Sequence, residues 1–222
     1  MDYIAVGDSF ATGFPSGVGY PDLFARHLGE DLGARIELDN RGVNGLTAAE
    51  LAENVEQEVH LRAALAQAEV ITWNIGGNDF GEARNAFLID QCGGADGERC
   101  LRDAVAQINR DWKRIFVAIA KLRSTSEAIV RVVSCYYPFV AQDRQQGIYE
   151  VTDRYVDDLD TNLQSLARRF DVPLADVYGA FNEDEQDPIA AGFIDGGNLH
   201  PTPAGHQLTA DLLRDLGYAP LG

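Results

Sequence analysis

Lysine is nearly missing from this chain. Of 18 basic residues only Lys113 and Lys121 are lysines, against 35 acidic residues, for a formal charge of −17. So large an acidic excess repels nucleic acid and anionic lipid, and it leaves a solvated surface that favours solubility. Runs of about 18 apolar residues are also lacking, so no stable membrane insertion is expected. Histidine numbers four and cysteine three. No histidine stands near a cysteine, so zinc-type spacing is absent and no metal is expected. The Gly-x-Ser-x-Gly elbow of many lipases does not occur. Gly7 and Gly13 have the wrong spacing for a phosphate loop, and no lysine follows them. The first apolar run begins at residue 3, which leaves no room for a leader peptide before it. A removed leader would read the same way.

The three cysteines divide into a pair and a single. Cys92 and Cys100 flank Gly93-Gly94-Ala95-Asp96-Gly97, a loop that closes as a local disulfide if the protein is exported. That pair inclines the reading toward a secreted or extracytoplasmic protein. Cys135 lies in an apolar strand pattern and is expected as a buried small hydrophobe.

Length and patterning suit one α/β domain spanning residues 1–222. Short apolar runs near 3–7, 35–39, 69–74, 128–134 and 172–176 read as strands, alternating with helical patterns near 20–29, 47–67, 99–123, 152–170 and 203–216. That alternation is the signature of βαβ units and a parallel sheet. In the 99–123 helix Leu101, Val105, Ile108, Trp112, Ile115, Ile119 and Leu122 form one apolar stripe that packs on the sheet. Residues 80–99 show no pattern of their own and read as a long loop overhanging the site, and 138–151 read as a second insertion. Phe80, Tyr136, Tyr137, Phe139 and Tyr149 either line a pocket there or pack in the core.

Four short blocks carry possible chemistry, each at or after a strand or just before the last helix. Gly7-Asp8-Ser9 follows the first strand, with Ser9 at a turn leaving the sheet. Asn40 to Thr47 follows the second, and Gly45 lets a backbone amide approach a reacting oxygen. Ile75-Gly76-Gly77-Asn78-Asp79 follows the third. An asparagine amide there donates to an oxyanion at a place where no helix is expected to supply one. Last comes Asp195-Gly196-Gly197-Asn198-Leu199-His200-Pro201-Thr202. Pro201 biases His200 to an extended backbone and lifts its ring out of the coming helix. Singly, each block also reads as an ordinary turn or cap. His206 reads as structural, and His27 and His60 as solvated.

Jointly the blocks resemble those of the SGNH (GDSL-type) hydrolases over residues 7–206. The resemblance implies a flavodoxin-like three-layer α/β/α fold with a five-stranded parallel sheet. It also implies an esterase acting without metal or organic cofactor; the expected substrate is a small-to-medium acyl ester or a lipid ester, and a monomer is expected. Carried over by position, Ser9 is the nucleophile and His200 the general base, later the acid. The Ser9 amide, the Gly45 amide and the Asn78 side chain form the oxyanion hole. Asp8 shapes the Ser9 turn, and Asp79 orients Asn78 or its loop.

One departure stands out. The family usually places aspartate three positions before the histidine, where this chain has Gly197. Either the Gly196-Gly197 pair lets Asp195 bulge back to the ring, the favoured reading, or a backbone carbonyl orients the imidazole in a Ser–His dyad. A carbohydrate O-acetylesterase or thioesterase would use the same residues. A binding protein that keeps the fold without turnover is the rival from another class.

Overall fold

In a computed structural model that describes residues 1–182 and 186–221, the apolar runs form a sheet of five parallel strands. Along the first crossover, β1 (Asp2–Val6), α1 (Ser9–Thr12) and α2 (Tyr20–Leu32) lead to β2 (Glu37–Asn40), followed by α3 (Ala48–Gln57) and α4 (Val59–Gln67). Next come β3 (Val70–Trp73), α5 (Gly77–Leu88), α6 (Arg99–Leu122) and β4 (Ile129–Val133). The chain then passes through α7 (Val140–Gln146), α8 (Tyr149–Arg169), β5 (Leu174–Ala175), α9 (Val177–Asn182) and α10 (Pro203–Asp215). The strand order is β2-β1-β3-β4-β5, the flavodoxin-like order of the three-layer α/β/α fold. The chain leaves β1 toward one neighbour and returns on its other side. The rim between β1 and β3 is therefore the switch point where such sheets place their ligands.

Both faces of the sheet are covered, which explains why β3 and β4 are buried at every position and largely apolar. Tyr3, Ala5, Val70, Ile129 and Val133 pack toward α1, α2, α9 and α10. Ile4, Val6, Ile71, Trp73, Val130 and Val132 pack toward α3–α6 and α8. Alternate residues of each strand serve opposite layers, as the pleat demands. The α6 stripe is buried as its spacing predicts, and Thr202 caps α10 by accepting from the Gly205 amide at 3.2 Å. Among the described residues, no helix is long and apolar enough to cross a membrane.

Three expectations are corrected. The span 47–67 is two helices, because Glu58 adopts an extended backbone (ψ 113°) and caps the second with its carboxylate, accepting from the His60 amide at 2.9 Å. Residues 80–99 are not one loop: their first half belongs to α5, and irregular chain begins only at Ile89. The 138–151 insertion contains α7 and the start of α8.

Candidate active site

Ser9 owes its position to the two residues before it. Gly7 has φ +154°, and a Cβ there would lie 2.4 Å from the Asn74 side-chain oxygen. Only glycine lets the end of β1 run so close to the end of β3. Asp8 then caps α1: its Oδ1 accepts from the Phe10 amide and from Asn74 Nδ2, both at 2.9 Å. Burial raises the Asp8 carboxyl to about 6, against those two hydrogen bonds and the His200 charge, which lower it. Asn74 is itself held by Tyr20, whose hydroxyl donates to its Oδ1 at 2.9 Å. Asp8 thus shapes the Ser9 turn.

His200 comes to Ser9 from the far end of the chain, its Nε2 lying 2.9 Å from Ser9 Oγ. The ring's Nδ1 lies 2.6 Å from the backbone carbonyl of Asn198. A carbonyl can only accept, so Nδ1 carries the proton and Nε2 presents a lone pair to the serine hydroxyl. This carbonyl is aimed by a constrained loop. Leu199 has φ +63°, Tyr136 donates to its carbonyl at 3.0 Å, and the His200 amide donates to Asn198 Oδ1 at 2.9 Å. Phe14 lies edge-on to the imidazole at 4.8 Å.

Asp195 does not meet the ring. Its Oδ1 accepts from the amides of Gly197 at 2.7 Å and Asn198 at 3.2 Å. That turn leaves the Asn198 carbonyl, not the Asp195 carboxylate, against the ring, so the structure favours the carbonyl alternative. Sequence reading missed Asn74, Asn198, Leu199 and Phe14. The polar end of an otherwise apolar strand was a usable signal for Asn74; nothing local distinguished the others.

Asn78 sits in the first turn of α5, correcting the expectation that no helix stands there. Its Nδ2 donates to the Leu46 carbonyl at 2.9 Å, which fixes the amide plane. Asp79 ties the same turn to α3, accepting from the Ala48 amide at 3.0 Å, and burial holds its carboxyl above the usual range. Gly45 lies in the exposed turn between β2 and α3 with φ +80°. That turn is fastened to α1 by Thr12 Oγ1 on Asn44 Oδ1 at 2.7 Å. Ser9, Asn74, Asn78, Tyr136 and His200 together line a cleft of about 440 Å³.

Several side chains lie elsewhere than expected. Cys135 is past the end of β4 and lines the cleft, its thiol donating to the Ile75 carbonyl at 3.3 Å. Burial pushes that thiol up, away from a reactive thiolate. Phe80, Tyr136, Tyr137 and Phe139 line the cleft or the cavity behind it, whereas Tyr149 is buried beneath Arg144. His27 is not free in solvent but pairs with Asp211 at 2.9 Å. His60 is exposed. His206 is buried without a hydrogen-bond partner among the described residues, and burial lowers it to about 4. Cys92 and Cys100 are joined in a disulfide. Among the described residues, no group of three histidines, cysteines or carboxylates could hold a metal.

The model of the GDSL-like Lipase/Acylhydrolase family matches residues 5–208. The chain belongs to that family. It is a carboxylic ester hydrolase by class, and three of the four blocks read from its sequence contribute residues to the cleft wall, the Asn40–Thr47 block not being among them. Among curated proteins none matches it. Of solved structures, the lipase Lip_vut3 from a goat rumen metagenome aligns over 100% of both chains at 21% identity, with a TM-score of 0.84. A phospholipase A1 from Streptomyces albidoflavus has a TM-score of 0.71 at 16% identity, covering 96% of this chain and 98% of that one. A variant of Axe2, an acetyl xylan esterase from Geobacillus stearothermophilus, has a TM-score of 0.65 at 17% identity, covering 98% and 94%. At such identities the likeness is one of fold, shared by this GDSL-family hydrolase with enzymes of differing substrates.

Proposed function

We propose that the chain is a serine esterase that cleaves small- to medium-acyl carboxylic esters through an acyl-enzyme on Ser9. The observation that carries this reading is the 2.9 Å contact between His200 Nε2 and Ser9 Oγ, within reach for direct proton transfer.

His200 takes the Ser9 proton as Oγ bonds to the ester carbonyl carbon. The resulting oxyanion is met by the Ser9 amide, the Gly45 amide and Asn78. An amide group has two N–H bonds; Asn78 commits one to Leu46 and has the other for the oxyanion. The start of α5 adds the positive end of a helix dipole at the same point. When the carbon–oxygen bond to the alcohol breaks, the proton on Nε2 passes to the departing oxygen. Water then repeats the sequence, giving up its proton to His200 and releasing the acid and Ser9.

The Asn198 carbonyl holds the imidazole throughout, so the catalytic unit is a dyad and Asp195 supports it only through the loop. The Cys92–Cys100 bond supports an oxidising, extracytoplasmic setting.

Hydrolysis of p-nitrophenyl esters from acetyl to octanoyl tests the reading. Ser9→Ala is expected to abolish turnover on all of them. Asn78→Ala is expected to lower kcat by about 100- to 1,000-fold while binding survives. Equal activity of wild type and Ser9→Ala would refute the assignment.

A further inference from the structure

Two cavities meet behind Ser9. The catalytic cleft shares Gly77, Gly81, Cys135, Tyr136, Pro138 and Phe139 with an inner cavity of about 40 Å³. The inner wall is largely apolar, with Trp112 from α6, Val156, Leu159 and Leu163 from α8, and Tyr178 from α9. By water-sized spheres of about 10–15 Å³ each, it holds roughly three waters, the room needed by about two or three chain carbons.

Gly77 and Gly81 are four residues apart on α5 and therefore lie on one face of it. A Cβ built on either meets no atom within 4 Å. Neither has a positive φ, so the backbone does not call for glycine at these positions. Glycine inside a helix is less stable than alanine, yet Gly81 stands in the interior of α5. Any side chain there would extend into the space where the two cavities join.

We propose that Gly81, with Gly77 one turn before it, is a chain-length gate: the bare helix face admits an acyl chain from Ser9 into the inner cavity and sets a preference for medium-length acyl esters. This rests on the serine-esterase reading above. A polar stretch of the cavity wall limits the chain. Asp160 stands in its wall, with one carboxylate oxygen lacking a partner among the described residues. A methyl end gains nothing by displacing water from such an atom, so the chain that fits ends before it.

The experiment compares wild type, Gly81→Ala and Gly81→Leu for kcat/KM on p-nitrophenyl acetate, butanoate, hexanoate and octanoate, with thermal melting of each protein. Wild type is expected to prefer hexanoate to acetate. Gly81→Ala is expected to melt higher, because its methyl enters open space and favours the helix. In Gly81→Leu the hexanoate-to-acetate ratio is expected to fall about tenfold, as when a pocket loses room for one or two methylenes. If the leucine variant does not melt cooperatively, the alanine variant decides, with an expected fall of about threefold in its octanoate-to-acetate ratio. An unchanged ratio in a folded, working variant overturns the gate alone. Failure of wild type on every ester overturns the gate together with the reading it rests on.

Discussion

At His200 a carbonyl oxygen stands where a carboxylate would bring a full negative charge. The Asn198 carbonyl fixes the tautomer and the ring plane, two of the services a third catalytic residue supplies. Charge for an imidazolium must come from elsewhere, and the buried Asp8, next to Ser9 in the chain, has a carboxyl that feels the His200 charge. Asp195 is occupied with the Gly197 and Asn198 amides. Asp195→Asn keeps an oxygen to accept from those amides and removes the charge. It is therefore expected to leave kcat within about threefold, where neutralising a triad aspartate costs about 10⁴-fold. Steady-state kinetics on one chromogenic ester decides the matter, a loss of 10³ or more restoring Asp195 to the ring. That Ser9 and His200 meet was legible from residue type and place in the chain. The orienting atom was not, because a backbone carbonyl leaves no mark in a sequence.

Among the elements, α5 joins most parts of the site. It carries Asn78 at its start and the bare glycine face behind it, and it is locked to α7 by a buried ion pair. Arg84 Nε donates to Asp143 Oδ1 at 2.9 Å, with both side chains at most 1% exposed. Tyr137 and Thr152 donate to the other carboxylate oxygen, and Phe139 lies 4.0 Å from the guanidinium. Removing one member leaves the other buried and uncompensated. Asp143→Ala is thus expected to destabilise the fold by about 3–5 kcal/mol, read as a shift of the urea midpoint; a shift under 1 kcal/mol would show that the pair is dispensable. The same feature hid α5 from sequence reading. A fully buried arginine interrupts the apolar stripe by which α6 was recognised at once, and Gly77 and Gly81 read as loop. Glu58 concealed the break between α3 and α4 for a different reason: glutamate is a good helix former, and its capping role here depends on backbone shape.

For the molecule as a whole, the parallel sheet was legible because apolar runs alternate with helical patterns, the five-stranded flavodoxin-like fold was implied by the resemblance of the four blocks, and the strand order β2-β1-β3-β4-β5 is seen only in the structure. The acidic excess is a property at the same scale. With 35 acidic and 18 basic residues, repulsion among like charges opposes compaction. Exposed pairs such as Arg102–Asp96 and Arg114–Glu56 are screened by solvent and return little. Sodium chloride at about 0.5 M shortens the screening length to a few ångströms, so the melting temperature at pH 7 is expected to rise by several degrees over that at 10 mM. A fall, measured by calorimetry, would show that the ion pairs outweigh the repulsion.

Ser9 and His200, the proposed nucleophile and base, lie 191 positions apart and meet only where the finished sheet presents its rim. On that reading a ribosome releasing this chain before residue 200 liberates an inert fragment, and ester cleavage itself reports that the chain has closed on itself.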